Sequence, residues 1–117
     1  MKHIVAVYGT LKRGYSNHHL LDKACYIGPD TLTSLTLYDL GPYPGALAKP
    51  STGVSVEVYA INGPLLAMLD ELEGYDPGAD KASLYQRRKI QTRHGLAWVY
   101  LYNRPVRSRQ RIADGSW

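Results

Sequence analysis

The 117-residue chain contains no phenylalanine, although it carries ten tyrosines and two tryptophans. Its aromatic mass is therefore largely hydroxyl-bearing, and a buried tyrosine needs a hydrogen-bond partner. Such residues suit core and rim positions or a polar pocket. A single cysteine, Cys25, excludes an internal disulfide and fits a reducing compartment. It has no Cys-x-x-Cys partner and no nucleophile signature, so it reads as structural. No apolar run approaches the length of a membrane span, and the residues between Lys2 and Tyr8 are too few for a secretory signal. These absences point to a cytoplasmic protein without a membrane partner. Repeats, low-complexity tracts and linkers are missing too, and one domain is expected over residues 1–117.

What is present reads as globular: 44% of residues are hydrophobic and 21% charged. The net charge of +4 owes much to Arg104, Arg107, Arg109 and Arg111 near the end. Such a run is usually a solvated surface. A nucleic-acid patch is the lesser reading, since no helix-turn-helix, zinc-finger or RNP-type pattern accompanies it. The four histidines lack ligand spacing; His18 and His19 are neighbours, and His3 and His94 stand alone, so no metal is expected.

Along the chain, residues 3–9 read as a buried strand and Asn17 as the cap of a short helix over 18–24. Leu32, Leu35 and Leu37 suggest one strand with an irregularity at Thr33-Ser34, and Tyr43-Pro44-Gly45 a turn. Val54, Val56 and Val58 alternate with polar neighbours as in a half-buried strand. Pro64 opens a helix that Gly74 stops. YDPGAD is a loop. Segments 84–92 and 96–102 form a hairpin about Arg93-His94-Gly95, with Trp98, Tyr100 and Tyr102 on one face and Ala97, Val99 and Leu101 on the other. Strands dominate and helices are too few for parallel crossovers. The expected class is therefore α+β, a small mixed, curled sheet or barrel with short helices packed outside.

Two segments carry chemistry. In VYGTLKRGYSNHHLL, residues 7–21, Gly9 and Gly14 are spaced as in a phosphate loop. Tyr15-Ser16 follows Gly14 where a nucleotide loop needs Lys and then Ser or Thr, so the phosphate reading fails at its chemical half. What survives is a strand running into Tyr8-Gly9-Thr10-Leu11, whose backbone N–H groups can form an anion or oxyanion nest or simply a turn. Gly9 would admit a ligand closely. On the second helix, Leu65, Leu66, Met68, Leu69 and Leu72 share a broad apolar face. Glu73 projects into it, while Asp70 and Glu71 point to water. A carboxylate aimed at a core is costly unless paired, and burial raises its pKa toward the range of proton transfer. Fraying at Gly74, or pairing of Glu73 with Arg87 or Arg88, are the plainer alternatives.

Together these segments resemble the γ-glutamylcyclotransferase-like family, which includes AIG2-like, YtfP-like and γ-glutamylamine cyclotransferase proteins. The resemblance rests on VYGTLKRG with Asn17-His18, then LYDLGPYPGAL (37–47), GVSVEVYAI (53–61), LDELEG (69–74) and LYQRRKIQT (84–92). It continues through AWVYLYNRPV (97–106) to Ile112, Gly115 and Trp117, spanning nearly the whole chain. It implies a small mixed β-barrel and cofactor-independent cleavage of a γ-glutamyl amine or peptide. The substrate's own α-amine attacks its γ-carbonyl, releasing 5-oxoproline and an amine. It further implies Glu73 as general acid and base and the Tyr8–Leu11 loop as cradle. Tyr85 and Tyr100 would be substrate hydrogen-bonders and Arg87 a supporting residue, pairing with Glu73 or Asp70. The loop 75–83 would line the leaving-group side. The same fold without catalysis, a small-molecule binding or regulatory module, is the alternative.

Overall fold

The computed structural model describes residues 3–117. Among them, His3–Val7 (β1), Cys25–Leu32 (β2), Thr36–Asp39 (β3), Pro44–Leu47 (β4), Val54–Ile61 (β5), Tyr85–Thr92 (β6) and Gly95–Tyr102 (β7) form one seven-stranded mixed sheet. The α-helix Gly63–Leu72 (α1) and 3₁₀ turns at His18–Leu21, Pro77–Ala82 and Ser108–Gln110 complete it. The strand order is β2-β5-β1-β7-β4-β3, with β6 on the other edge of β7. This is the expected α+β class, with the barrel-like curl left open as a ladder.

The curl is visible in a contact that skips the strand order. Arg93, in the β6–β7 turn, donates from its backbone N–H and Nε to the two carboxylate oxygens of Asp30 on β2, at 2.9 and 3.1 Å. His94 in the same turn lies 3.0 Å from the Pro29 carbonyl. Three strand-to-strand steps separate β2 from β7 in the ladder. Side chains, not a ladder, therefore draw the two regions together. The C-terminal segment adds a strap: Ile112 N–H donates to Leu37 O at 2.9 Å, and Ser55 N–H to Gly115 O at 2.9 Å. The Tyr15 hydroxyl donates to the Trp117 carbonyl, tying the strap to the loop after β1.

Side-chain alternation on β7 sorts two cores. Ala97 and Val99 pack with Val54, Val56 and Val58 inside the curl. Trp98, Tyr100 and Tyr102 face the other cluster, where Leu66 and Leu69 of α1 cover Val5, Val7 and Ile61. Each such aliphatic side chain, fully buried, stabilises the fold by roughly 1.5–3 kcal/mol. Helix α1 begins with the Asn62 side chain accepting from Leu65 N–H at 2.8 Å. It stops because Gly74 takes a left-handed φ of 66°.

Several local expectations change. The helix over 18–24 is a 3₁₀ turn of His18–Leu21, and Asn17 makes no side-chain cap. Its amide bonds across the loop instead. Residues 32–37 belong to two strands, β2 and β3, and the Thr33-Ser34 irregularity is the connection between them. Pro44 and Gly45 begin β4 rather than ending in a turn, and part of YDPGAD is 3₁₀. Strand β2 escapes a pattern reading because CYIGPDTL carries Gly28 and Pro29. As an edge strand paired only with β5, it tolerates both. Cys25, read as structural, is exposed at its start and adds nothing to the core.

Candidate active site

The site follows from a shortage of strand edge. Both β1 and β4 run parallel to β7 and share one edge of it, through Val5↔Trp98 and Ala46↔Leu101. Strand β6 holds the other edge. β1 must therefore leave β7 near the point where β4 joins it, and the chain beyond β1 splays from the start of β4. A cavity of about 280 Å³ opens there. Tyr8, Gly9, Thr10, Leu11, Glu73, Tyr85 and Tyr100 all line it, so the catalytic and substrate-binding residues expected from the sequence converge on one space.

One wall is the loop after β1. Its own turn bonds run from Lys12 N–H to Gly9 O (3.0 Å) and from Asn17 N–H to Thr10 O (2.9 Å). The Asn17 amide donates to Thr10 Oγ1 at 2.9 Å, bracing the loop from within. The backbone N–H groups of Gly9, Thr10 and Leu11 donate to no acceptor among the described residues. Buried amides are normally paired, so unspent donors beside a cavity form a ready anion site. Gly9 is required for a reason other than ligand approach: a Cβ there would meet Pro44 Cγ at 2.7 Å. It lets the loop close onto β4. Lys12 is buried outside the lining, its ammonium 5.4 Å from the Tyr15 ring centre. The phosphate-loop resemblance ends there.

The opposite wall is the end of α1. Glu73 is half-buried at the helix terminus, and its carboxylate makes no ion pair or hydrogen bond among the described residues. Burial pushes its carboxyl up to about 7. Arg87 and Arg88, the alternative partners of Glu73, are engaged elsewhere: Arg87 with Asp70 at 3.1 Å and Arg88 with Asp80 at 2.8 Å. Asp70 corrects the helical-wheel reading. Expected in water, it is 8% exposed, while Met68 and Leu72, expected inside, are 38% and 43% exposed. The buried arc of α1 is rotated toward Glu73, because Arg87 and Tyr100 supply Asp70 with partners that make its burial affordable.

The three tyrosines have their hydroxyl hydrogens committed. Tyr8 donates to the Tyr100 carbonyl at 2.6 Å and accepts from Ala46 N–H at 3.2 Å. Tyr85 donates to the Pro44 carbonyl at 2.8 Å, and Tyr100 to Asp70 Oδ1 at 2.6 Å. Tyr8 thus lends the cavity its ring, whereas Tyr85 and Tyr100 keep oxygen lone pairs free to accept. Burial first, and the Glu73 carboxylate next, raise the phenols of Tyr8 and Tyr85. Arg87 supports from behind, its guanidinium 4.5 Å from the centre of the Trp98 ring.

The mouth differs from expectation. The lining passes from Glu73 directly to Leu84, and none of residues 75–83 borders it; Pro42, Tyr43 and Leu72 do. Pro42 and Tyr43 sit within the segment LYDLGPYPGAL, where a turn signal was legible but not the cavity it faces. Arg104, counted in the basic run, donates to the carbonyls of Ser83 (2.9 Å) and Ala82 (3.1 Å), so it is a brace for that loop. No helix among the described residues is long and apolar enough to cross a membrane.

Known proteins share this chain's sequence and fold. A protein of Vibrio cholerae is 41% identical over all of this chain and 96% of its own length. The γ-glutamylcyclotransferase family protein YtfP of Escherichia coli is 38% identical over 97% of this chain and 94% of its own. Its solution structure superposes with a TM-score of 0.73, covering 97% of this chain and 95% of that one. The γ-L-glutamyl-butirosin B γ-glutamyl cyclotransferase of Niallia circulans is 33% identical over 92% of this chain and 72% of its own. The family model for γ-glutamyl cyclotransferase, AIG2-like, matches residues 5–117, and the chain belongs to that family.

Proposed function

We propose that this protein cleaves a γ-glutamyl amide by cyclotransfer. The observation that carries the reading is the unpaired Glu73 carboxylate, held across a small cavity from three unspent backbone N–H groups. That pairing of an acceptor wall with a donor wall complements an amino-acid head. The α-carboxylate takes the Gly9–Leu11 N–H groups, or these steady the oxyanion formed at the γ-carbonyl. The α-ammonium lies toward Glu73 and the acceptor oxygens of Tyr85 and Tyr100.

Glu73 removes a proton from the α-ammonium, and the freed amine attacks the γ-carbonyl carbon of the same molecule. The new C–N bond closes a five-membered ring as the old amide C–N bond breaks. Two protons pass in total from the α-nitrogen to the departing nitrogen, giving 5-oxoproline and a protonated amine, with no water consumed. A carboxyl titrating near 7 is matched to carrying protons both ways at neutral pH. Attack within one bound molecule makes orientation a large part of the catalysis, which suits a braced loop and a small cavity. The Niallia circulans relative, whose name states this reaction type, supports the same reading.

The test is product identity. Incubation with γ-glutamyl amides should release 5-oxoproline and amine in equal amounts, with no free glutamate. Glutamate in its place would mean hydrolysis by water and would overturn the mechanism. Binding of the same compounds without release would favour the non-catalytic module.

A further inference from the structure

His18 and His19 are neighbours on a 3₁₀ turn and take no part in lining the cavity. Their rings nevertheless reach back to the loop that does. We infer that both are positioning residues for the cyclotransfer, each heading a hydrogen-bond chain that ends on one cradle N–H. This inference rests on the cyclotransferase reading and adds to it how the anion site is aimed and polarised.

His18 Nδ1 lies 2.9 Å from the Leu11 carbonyl and His19 Nδ1 3.1 Å from the Ser16 carbonyl. A carbonyl only accepts, so both rings carry a hydrogen on Nδ1 and donate it. The peptides are trans, which sets the N–H of each peptide group antiparallel to its C=O. The group that accepts from His18 through Leu11 O donates through Lys12 N–H to Gly9 O at 3.0 Å. The next group, accepting at Gly9 O, presents the unspent Thr10 N–H. The chain from His19 is built the same way. Ser16 O and Asn17 N–H share one peptide group, Asn17 N–H donates to Thr10 O at 2.9 Å, and that group presents the unspent Leu11 N–H. Neighbouring side chains thus feed neighbouring donors.

Each chain is two peptide dipoles in line, with the positive end at the cavity. Donation into a carbonyl polarises the N–H on the far side of the same peptide, so each link strengthens the next. An anion in the cradle then meets two N–H groups that are better donors and already aimed, with no reorganisation left to make. His18 is the stronger head. It is half-buried, and its acceptor belongs to Leu11, 4% exposed, where a carbonyl that lost its donor would gain little water; His19 is exposed.

Asparagine and glutamine substitutions separate the heads from the shape of the loop. The Asn Nδ2 takes the place of imidazole Nδ1, the Gln Nε2 that of imidazole Nε2, and at position 18 both remove the ring beside Tyr59. His18→Asn should therefore keep kcat/KM for 5-oxoproline release within about threefold of wild type. His18→Gln should lose roughly tenfold, because a donor is weakened rather than removed. The substrate is whichever of γ-glutamyl-pentylamide, γ-glutamyl-leucine and γ-glutamyl-ε-lysine the wild type turns over fastest. Amide proton shifts give a readout that a merely structural role would not move. His18→Gln should shift the Thr10 N–H upfield more than the Leu11 N–H, and His19→Gln should do the reverse. Both amides moving alike in the two variants, or His18→Gln turning over at the wild-type rate, overturns the inference and leaves the cyclotransferase reading intact. Absence of 5-oxoproline from the wild type on all three compounds overturns that reading and this role with it.

Discussion

Asp70 and Glu73 stand three residues apart on the same side of α1, and the fold treats them oppositely. Asp70 receives the Tyr100 hydroxyl at 2.6 Å and the Arg87 guanidinium at 3.1 Å. Glu73 receives nothing among the described residues and opens onto a cavity. Both are removed from water at a cost, but only Asp70 is compensated by partners. Its burial therefore serves the join between α1, β6 and β7. Glu73 retains its cost as a raised carboxyl, about 7 against an ordinary 4.5, which is the form of strain a proton carrier uses. Two acidic residues one helical turn apart thus separate, by their neighbours alone, into a structural partner and the carboxylate to which the proposed mechanism gives the proton transfer.

The comparison breaks most visibly in stability. Asp70→Ala leaves the Arg87 charge poorly exposed and unpaired, and should cost about 3 kcal/mol in denaturant unfolding. Arg87→Ala should cost a similar amount, and the double variant less than the sum. An additive double variant would show that the pair is not a unit.

The second effect belongs to Glu73 and has a sign. Its folded carboxyl titrates above its unfolded value, so its protonated form favours the fold, and stability from this group is full below about 4.5. It is lost as pH rises toward about 7. Glu73→Gln should remove that slope and stabilise the protein at pH 8 by on the order of 2 kcal/mol. A pH–stability curve unchanged by the substitution would mean that Glu73 is solvated. Next in size, Gly9→Ala drives a Cβ against Pro44 and should cost about 1–2 kcal/mol with a displaced cradle loop. Chemical shifts of the Gly9–Leu11 amides would report that displacement. Smallest is Arg93→Ala, which removes the Nε bond to Asp30 and keeps the backbone N–H bond. With the Arg93 side chain 68% exposed, a change in thermal unfolding worth no more than about 1 kcal/mol is expected.

How much of this was legible beforehand depended on range. Glu73 could be found from helical spacing because its anomaly is local, a carboxylate inside an apolar stripe. The phase of that stripe could not: Asp70 is inward only because Arg87 and Tyr100 arrive from strands far along the chain. The hairpin and β5 were legible from alternation, and the cradle from a glycine after an apolar strand. β2 was not, since its glycine and proline imitate a loop, and only its place at the sheet edge excuses them. The tyrosines entered through family resemblance, yet their committed hydroxyl hydrogens and the apolar mouth at Pro42 and Tyr43 are products of tertiary packing. The resemblance sets the loop 75–83 at the mouth, and chain direction after Gly74 carries it elsewhere.

The most direct test of the account is 5-oxoproline release by the wild type and Glu73→Gln on the same γ-glutamyl amide, with substrate binding measured on both. The account predicts a folded variant that binds within a few-fold of wild type and turns over roughly 10²–10⁴ times more slowly. Turnover at the wild-type rate would contradict it, and would move the proton transfer to another group.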